Sequence, residues 1–183
     1  ILTGYGLEVS DLARVNDILA KAMTSANVDL SMLGESMKYA GPVASGAGIE
    51  FEEAAAAIAL MGDAGIQGSM AGTALRGSIS RLLNPTKEAA SILKRLGVDA
   101  TDATGELLPL DEIIRQLEES GATTGEMMQL FGERAGPAMA SLVERGADAL
   151  SDLTGELENS GGTAERIADT QMEGLMGSWD KLK

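Results

Sequence analysis

Glycine and proline cut this chain into short lengths, and within each length the apolar residues repeat at helical spacing. The breaks fall at Gly41-Pro42, Gly65, Asn84-Pro85, Gly97, Pro109, Gly121 and Gly161-Gly162. A proline disfavours helix in the residue before it and donates no backbone hydrogen bond, and a glycine takes up the left-handed conformation that ends a helix. The pattern therefore predicts many short helices, each of which must bury an apolar face on its neighbours, in place of one long rod.

Leu12, Val15, Leu19 and Met23 follow Ser10, a candidate N-cap. A second helix follows Asp29, with Leu30, Leu33, Met37 and Ala40 on one face, and is expected to stop at Gly41-Pro42. A third runs from about Glu52 to Ala64, with Ile58 and Met61 inward and Gly65 closing it. The short link that follows predicts an antiparallel return from Ser69, burying Ala71, Leu75, Ile79 and Leu82. A fifth helix, Lys87 to Leu96, buries Ile92, Leu93 and Leu96. Turn pairs then interrupt residues 98–109, where a small hairpin or an irregular loop fits. Helix resumes at Asp111 with Ile113, Ile114 and Leu117 inward, then through Met127, Met128 and Phe131. Further helices are expected at Ala138–Arg145, Leu150–Leu157 and Ala164–Lys181. With only 3% aromatic residues, the core must be built from Ala, Leu, Ile, Val and Met, which suits closely packed helices better than a β-sandwich. The expected fold is all-α, a compact multi-helix bundle. Residues 1–160 form its core, with a subdivision near 97–110, and 161–183 form a C-terminal helix leading into further sequence. Ser160-Gly161-Gly162 is the candidate joint between them.

The chain has no cysteine and no histidine. Disulfides, Cys/His zinc sites, catalytic triads and imidazole acid–base chemistry are excluded together. The stretch from Asp99 to Glu112 resembles a calcium loop until Gly105 is set at the loop glycine. Ala100 then stands at the first ligand position, and Asp111 replaces the bidentate Glu. Gly62, Gly65, Gly68 and Gly72 cluster without the lysine of a phosphate loop, and Gly4-Tyr5-Gly6 lacks a third glycine at the right spacing. The carboxylate pairs Glu52-Glu53, Asp111-Glu112 and Glu118-Glu119 are adjacent in sequence, so they diverge around a helix and are expected on solvated faces. No apolar run approaches the length of a membrane span. The net charge of −14 is uneven: residues 1–97 carry 10 acids and 8 bases, residues 98–183 carry 18 acids and 6 bases. That surface repels phosphates, so nucleic acid is not an expected partner. Neither catalysis nor a cofactor or metal is expected. Thermal melts with calcium, magnesium, ATP or chelator should overlay, whereas a ligand at a hundred times its Kd would add about 2.7 kcal/mol of stability.

Small residues suggest packing sites. Gly65, Gly68, Ala71, Gly72 and Leu75 are expected where the third and fourth helices approach closely, and alanine at Gly72 is expected to gain up to about 1 kcal/mol if space allows. Met127, Met128, Met139, Met172 and Met176 fit a helical core or an adaptable groove. Leu175, Met176, Trp179 and Leu182 form a stripe near the C-terminal end that would mark a contact with further sequence or with another subunit by self-association.

Taken in order, several stretches resemble the core region of phage tail tape measure proteins. They are Lys38-Tyr39-Ala40-Gly41-Pro42-Val43-Ala44, Gly48-Ile49 leading into Glu52-Glu53-Ala54-Ala55-Ala56, Asp63-Ala64-Gly65-Ile66-Gln67-Gly68-Ser69, and Ala71-Gly72-Thr73-Ala74-Leu75-Arg76. Leu96-Gly97-Val98, Gly105-Glu106-Leu107 and Leu130-Phe131-Gly132 follow in the same order. The resemblance covers roughly residues 7–180 and is most specific from Gly41 to Arg76. It implies a structural component of a virion or prophage that helps set tail length, nucleates tube assembly and takes part in genome delivery. It also implies tail tube protein and tail assembly chaperones as partners, and a location in the phage tail after assembly in the bacterial cytoplasm. It carries no catalytic residues into this region. The alternative reading is a helical adaptor or regulatory module that binds a protein through its acidic, Met-rich second half; a peptidoglycan-cleaving enzyme is a weaker third.

Overall fold

The computed structural model describes the backbone of residues 1–180 and the side chains of residues 1–173. Its helices are α1 (Leu2–Tyr5), α2 (Leu12–Ser25), α3 (Leu30–Gly46), α4 (Phe51–Asp63), α5 (Ser69–Leu83), α6 (Lys87–Leu96), α7 (Leu110–Glu119), α8 (Thr124–Arg145), α9 (Ala147–Glu158) and α10 (Thr163–Asp180). No strand of a sheet occurs among the described residues. Between α6 and α7 a single antiparallel bridge joins Thr101 and Leu107. Asp102 braces that hairpin, accepting from the amides of Thr104 and Glu106 and from the Thr104 hydroxyl. One carboxylate of the calcium-like stretch is thus spent on a turn.

Helix α4 is the hub. The sequence suggests one inward face, yet every residue from Ala54 to Gly62 is buried, as are Phe51 and Glu52. The run of four alanines allows this, because a helix that narrow can be surrounded at short distance. It packs against α2, α3, α5, α8 and α9. Each fully buried Ile, Met or Phe on it contributes roughly 1.5–3 kcal/mol.

Two expected helix ends differ. Helix α3 does not stop at Gly41-Pro42 but runs through to Gly46. Pro42 lies on the exposed side, one turn after exposed Lys38, where the carbonyl that loses its partner faces away from the core. The short α1 closes over this segment: a Cβ on Gly4 would touch the Pro42 ring, and one on Gly41 would touch Tyr5. Tyr5 stands edge-on to Phe51, its ring centroid 5.2 Å away, and its hydroxyl donates to the Ile49 carbonyl at 2.7 Å. Burial pushes that phenol's pKa well up. Helix α8 takes in two of the expected helices, which meet at Gly132 with no loop between them; only glycine readily adopts its φ of 80° and ψ of 168°. The corner is so tight that a Cβ on Gly136 would come within 2.9 Å of the Met128 Cα. Arg81 from α5 spans it, donating to the Leu130 carbonyl at 3.3 Å.

Local caps hold α3, α6 and α8: Asp29, Thr86 and Thr123 accept from the amides of Met32, Ala89 and Glu126. Glu126 returns a bond to the Thr123 amide and pairs with Arg95 at 2.7 Å. The backbone and hydroxyl bonds from Thr123, then Arg95, pull the Glu126 pKa down to about 2. A lowered carboxyl pKa stabilises the fold above the ordinary value, and that contribution is lost as pH falls through about 2. A carbon-detected NMR titration should put the Glu126 midpoint near there; a midpoint of ordinary carboxylate value would mean the cap and ion pair do not form.

Candidate functional site

The densest small-residue contact lies between α5 and α3. A Cβ placed on Gly72 would sit 2.2 Å from the Ser36 carbonyl oxygen and 2.8 Å from its Cα. Ser36, fully buried, donates its hydroxyl to the Gly68 carbonyl at 2.8 Å and to the Met32 carbonyl. Gly68 opens α5 with φ +57°, and a Cβ there would approach the Glu35 carboxylate at 2.9 Å. Ala71 and Leu75 are buried on the same helix, while Gly65 closes α4 at φ +80° with open space around it. The structure therefore gathers Gly68, Ala71, Gly72 and Leu75 on a helix whose close partner is the second helix, not the third. The Gly65–Gly68 link carries α5 past α4 to reach α3. Local sequence signals where a backbone comes close but not which backbone meets it, and Ser36 was accordingly missed.

One turn further along α5, the Ser78 hydroxyl is buried with no hydrogen-bond partner. Leaving such a group unpaired costs about 1–3 kcal/mol. Ser78→Ala should therefore raise stability by about 1 kcal/mol in chemical denaturation, and a loss would mean that the hydroxyl has a partner.

The carboxylates form no reactive cluster. Glu52 is buried and pairs with Arg14. Glu53 accepts from the amides of Leu110 at 2.6 Å and Asp111 at 3.4 Å, so it caps α7; burial nonetheless raises its pKa. Glu118 caps α9 through the Ala147 amide at 3.1 Å. Asp17 accepts from Gly162 and Ala164 at the start of α10, bonds that lower its pKa. The solvated faces expected of Glu52 and Glu53 are thus corrected, whereas Glu118 is exposed as expected while it also serves as a cap. Helices α7, α9 and α10 start at Pro109, Gly146 and Gly162, which supply no side-chain cap, and distant acids take the role. Among the described residues no group of three or more acids could hold a metal ion, and no helix is long and apolar enough to cross a membrane.

Met127 and Met139 belong to the core, and Met128 is half-buried, so these three do not line a common groove. The exposed methionine that does line one is Met70, beside a cavity of about 380 Å³ between α5 and α8 with Ile66, Thr73 and Pro137. Met172 is exposed on α10. The stripe of Leu175, Met176, Trp179 and Leu182 lies outside the residues whose side chains are described.

Residues 1–132 match the model of a family described as phage-related minor tail protein. A tape measure protein of Pneumococcus phage Dp-1 is 38% identical over 187 residues, which take in 99% of this chain and 16% of that relative. A probable tape measure protein of Escherichia phage P2 is 32% identical over 186 residues, 97% of this chain and 23% of the relative. The chain thus spans less than a quarter of the length of either. No solved structure matches.

Proposed function

The chain belongs to the phage-related minor tail protein family, and from that premise we propose that it is the folded assembly module of a tail tape measure protein. In this reading the module docks on tail tube protein and assembly chaperones, nucleates the tube, and leaves most of the ruler's length to other parts of the longer polypeptide. It acts in the phage tail, after assembly in the bacterial cytoplasm, and contributes to genome delivery without catalysis of its own. Residues 1–160 are its core, and the segment from 161 onward connects it to its surroundings.

The observation that carries this reading is the position of the Gly41–Arg76 block. It supplies the end of α3, all of the hub α4 and the first half of α5, including Gly72, which makes the close contact with α3. The residues that most resemble the family thus build a rigid centre. They do not surround a reactive pocket, as the residues of a catalytic domain would. An in-frame excision of residues 1–160 from the parent gene tests the proposal. Loss of tail tubes in electron micrographs is the expected result. Tails shortened in proportion to the excised residues would assign the segment to the ruler itself, and tails of normal number and length would sink the reading.

A further inference from the structure

Helix α10 lies along α2, and among the described side chains it is hydrogen-bonded to the bundle only at its first turn. Asp17 on α2 receives the Gly162 amide at 2.9 Å and the Ala164 amide at 2.8 Å, and Ser160 and Thr163 are buried beside it. From Glu165 to Glu173 every side chain is exposed except half-buried Ile167. Open grooves run along the helix. One of about 690 Å³ includes Lys21, Glu156 and Thr170, and another of about 460 Å³ includes Met23, Leu30 and Ala168. Other nearby polar contacts do not tie α10 down. Lys21 pairs with Glu156 at 2.9 Å, which joins α2 to α9. Arg166 bonds to the Thr163 hydroxyl at 2.8 Å and the Gly161 carbonyl at 3.2 Å, both within its own turn. Among the described residues, the hydrogen bonds that cross from the bundle to α10 are those of Asp17.

We propose that Asp17 is a latch and residues 160–162 a hinge: while Asp17 holds the Gly162 and Ala164 amides, α10 lies along α2, and when those bonds open α10 swings away as an intact helix from a bundle that stays folded. Gly162, at φ +75°, lets the chain change direction in a single residue. The latch is a carboxylate on the positive end of a helix, a contact that falls away within one turn. Over Glu165–Glu173 opening it uncovers little apolar surface, because Ile167 alone of those side chains is even partly covered. This inference rests on the contacts alone and does not depend on the proposed role in tail assembly.

The absence of cysteine lets two labels be placed cleanly, at exposed Asp152 on α9 and exposed Asp169 on α10. In D152C/D169C with spin labels, electron–electron distances should form one narrow distribution. Adding D17A should broaden it and introduce a longer component, while D17N, which keeps an acceptor oxygen, falls between. Amide exchange at Gly162 and Ala164 should quicken about ten- to hundredfold, the factor expected for losing hydrogen bonds to a charged group. Exchange in α3, α4 and α5 should not change. An unaltered distance distribution in D17A would overturn the latch, since packing would then hold α10. Faster exchange throughout α3–α5 would overturn it too, because Asp17 would then be a general stabiliser of the bundle.

Discussion

Leucine at Gly72 is expected to lower the unfolding free energy by about 3 kcal/mol or more, and even alanine there should cost about 1–3 kcal/mol. The reason is what a Cβ would strike. At 2.2 Å it meets the carbonyl oxygen of Ser36, with the Ser36 Cα and carbonyl carbon within 2.9 Å. These are backbone atoms of a helix that packs on α4 and α5, so no rotamer change relieves the overlap. The whole helix must move, and with it the Ser36 hydroxyl bond to Gly68. The gain of up to about 1 kcal/mol that helix propensity alone gives alanine is therefore outweighed here. Gly77 supplies the control on the same helix. A Cβ there has only the Ala135 methyl at 3.8 Å, so Gly77→Ala should show the propensity gain undiminished. Urea titrations of the three variants separate the cases. Equal midpoints for Gly72→Ala and Gly77→Ala would mean that α3 and α5 do not touch as described.

That pair also marks how far the residues could be read without the fold. The apolar spacing gave the helices from Leu12 to Leu96 and the buried sets Ile113, Ile114, Leu117 and Leu150–Leu157, because periodicity is a local property. The N-cap candidate Ser10 is not one, since α2 is preceded by Asp11, which makes no side-chain cap bond, whereas Asp29, read only as the residue before a helix, does cap α3. The caps of α7, α9 and α10 were not legible, since Glu53, Glu118 and Asp17 lie 57, 29 and 147 residues from the amides they receive. Pro42 misled because the stop rule assumes that the lost bond has no replacement, whereas its side of α3 is exposed. The corner at Gly132 was half legible: separate helices are expected through Phe131 and at Ala138–Arg145, but not that they meet at one glycine spanned by Arg81 from α5. The packing glycines were visible in composition, but their partner was set by topology. The exposed Met70 groove was not legible in the sequence, since it is completed by Pro137, which the topology brings from α8.

Small-angle scattering of the 183-residue segment should give a radius of gyration near 16 Å if it is monomeric, with light scattering fixing the mass. A ruler would suggest otherwise. At 1.5 Å per residue a continuous helix of this length would extend about 275 Å, and such a rod has a radius of gyration of about 80 Å. The fivefold difference leaves no room for ambiguity in the measurement. Energetics decides between the two shapes in free solution. In a rod, the hub helix α4 would expose Phe51, Ile58, Leu60 and Met61 together with its alanines, all of which are buried here. At roughly 1.5–3 kcal/mol for each large side chain, these four come to about 6–12 kcal/mol, comparable to the whole net stability of about 5–15 kcal/mol usual for a domain. Extending the segment therefore requires something that covers those faces in exchange, such as the wall of a tube or further copies of the chain. A measured radius several times 16 Å in the monomer would make this region part of the measuring rod. The compact value would confine its contribution to tail length to the width of a bundle and leave tube nucleation as the role its structure can serve.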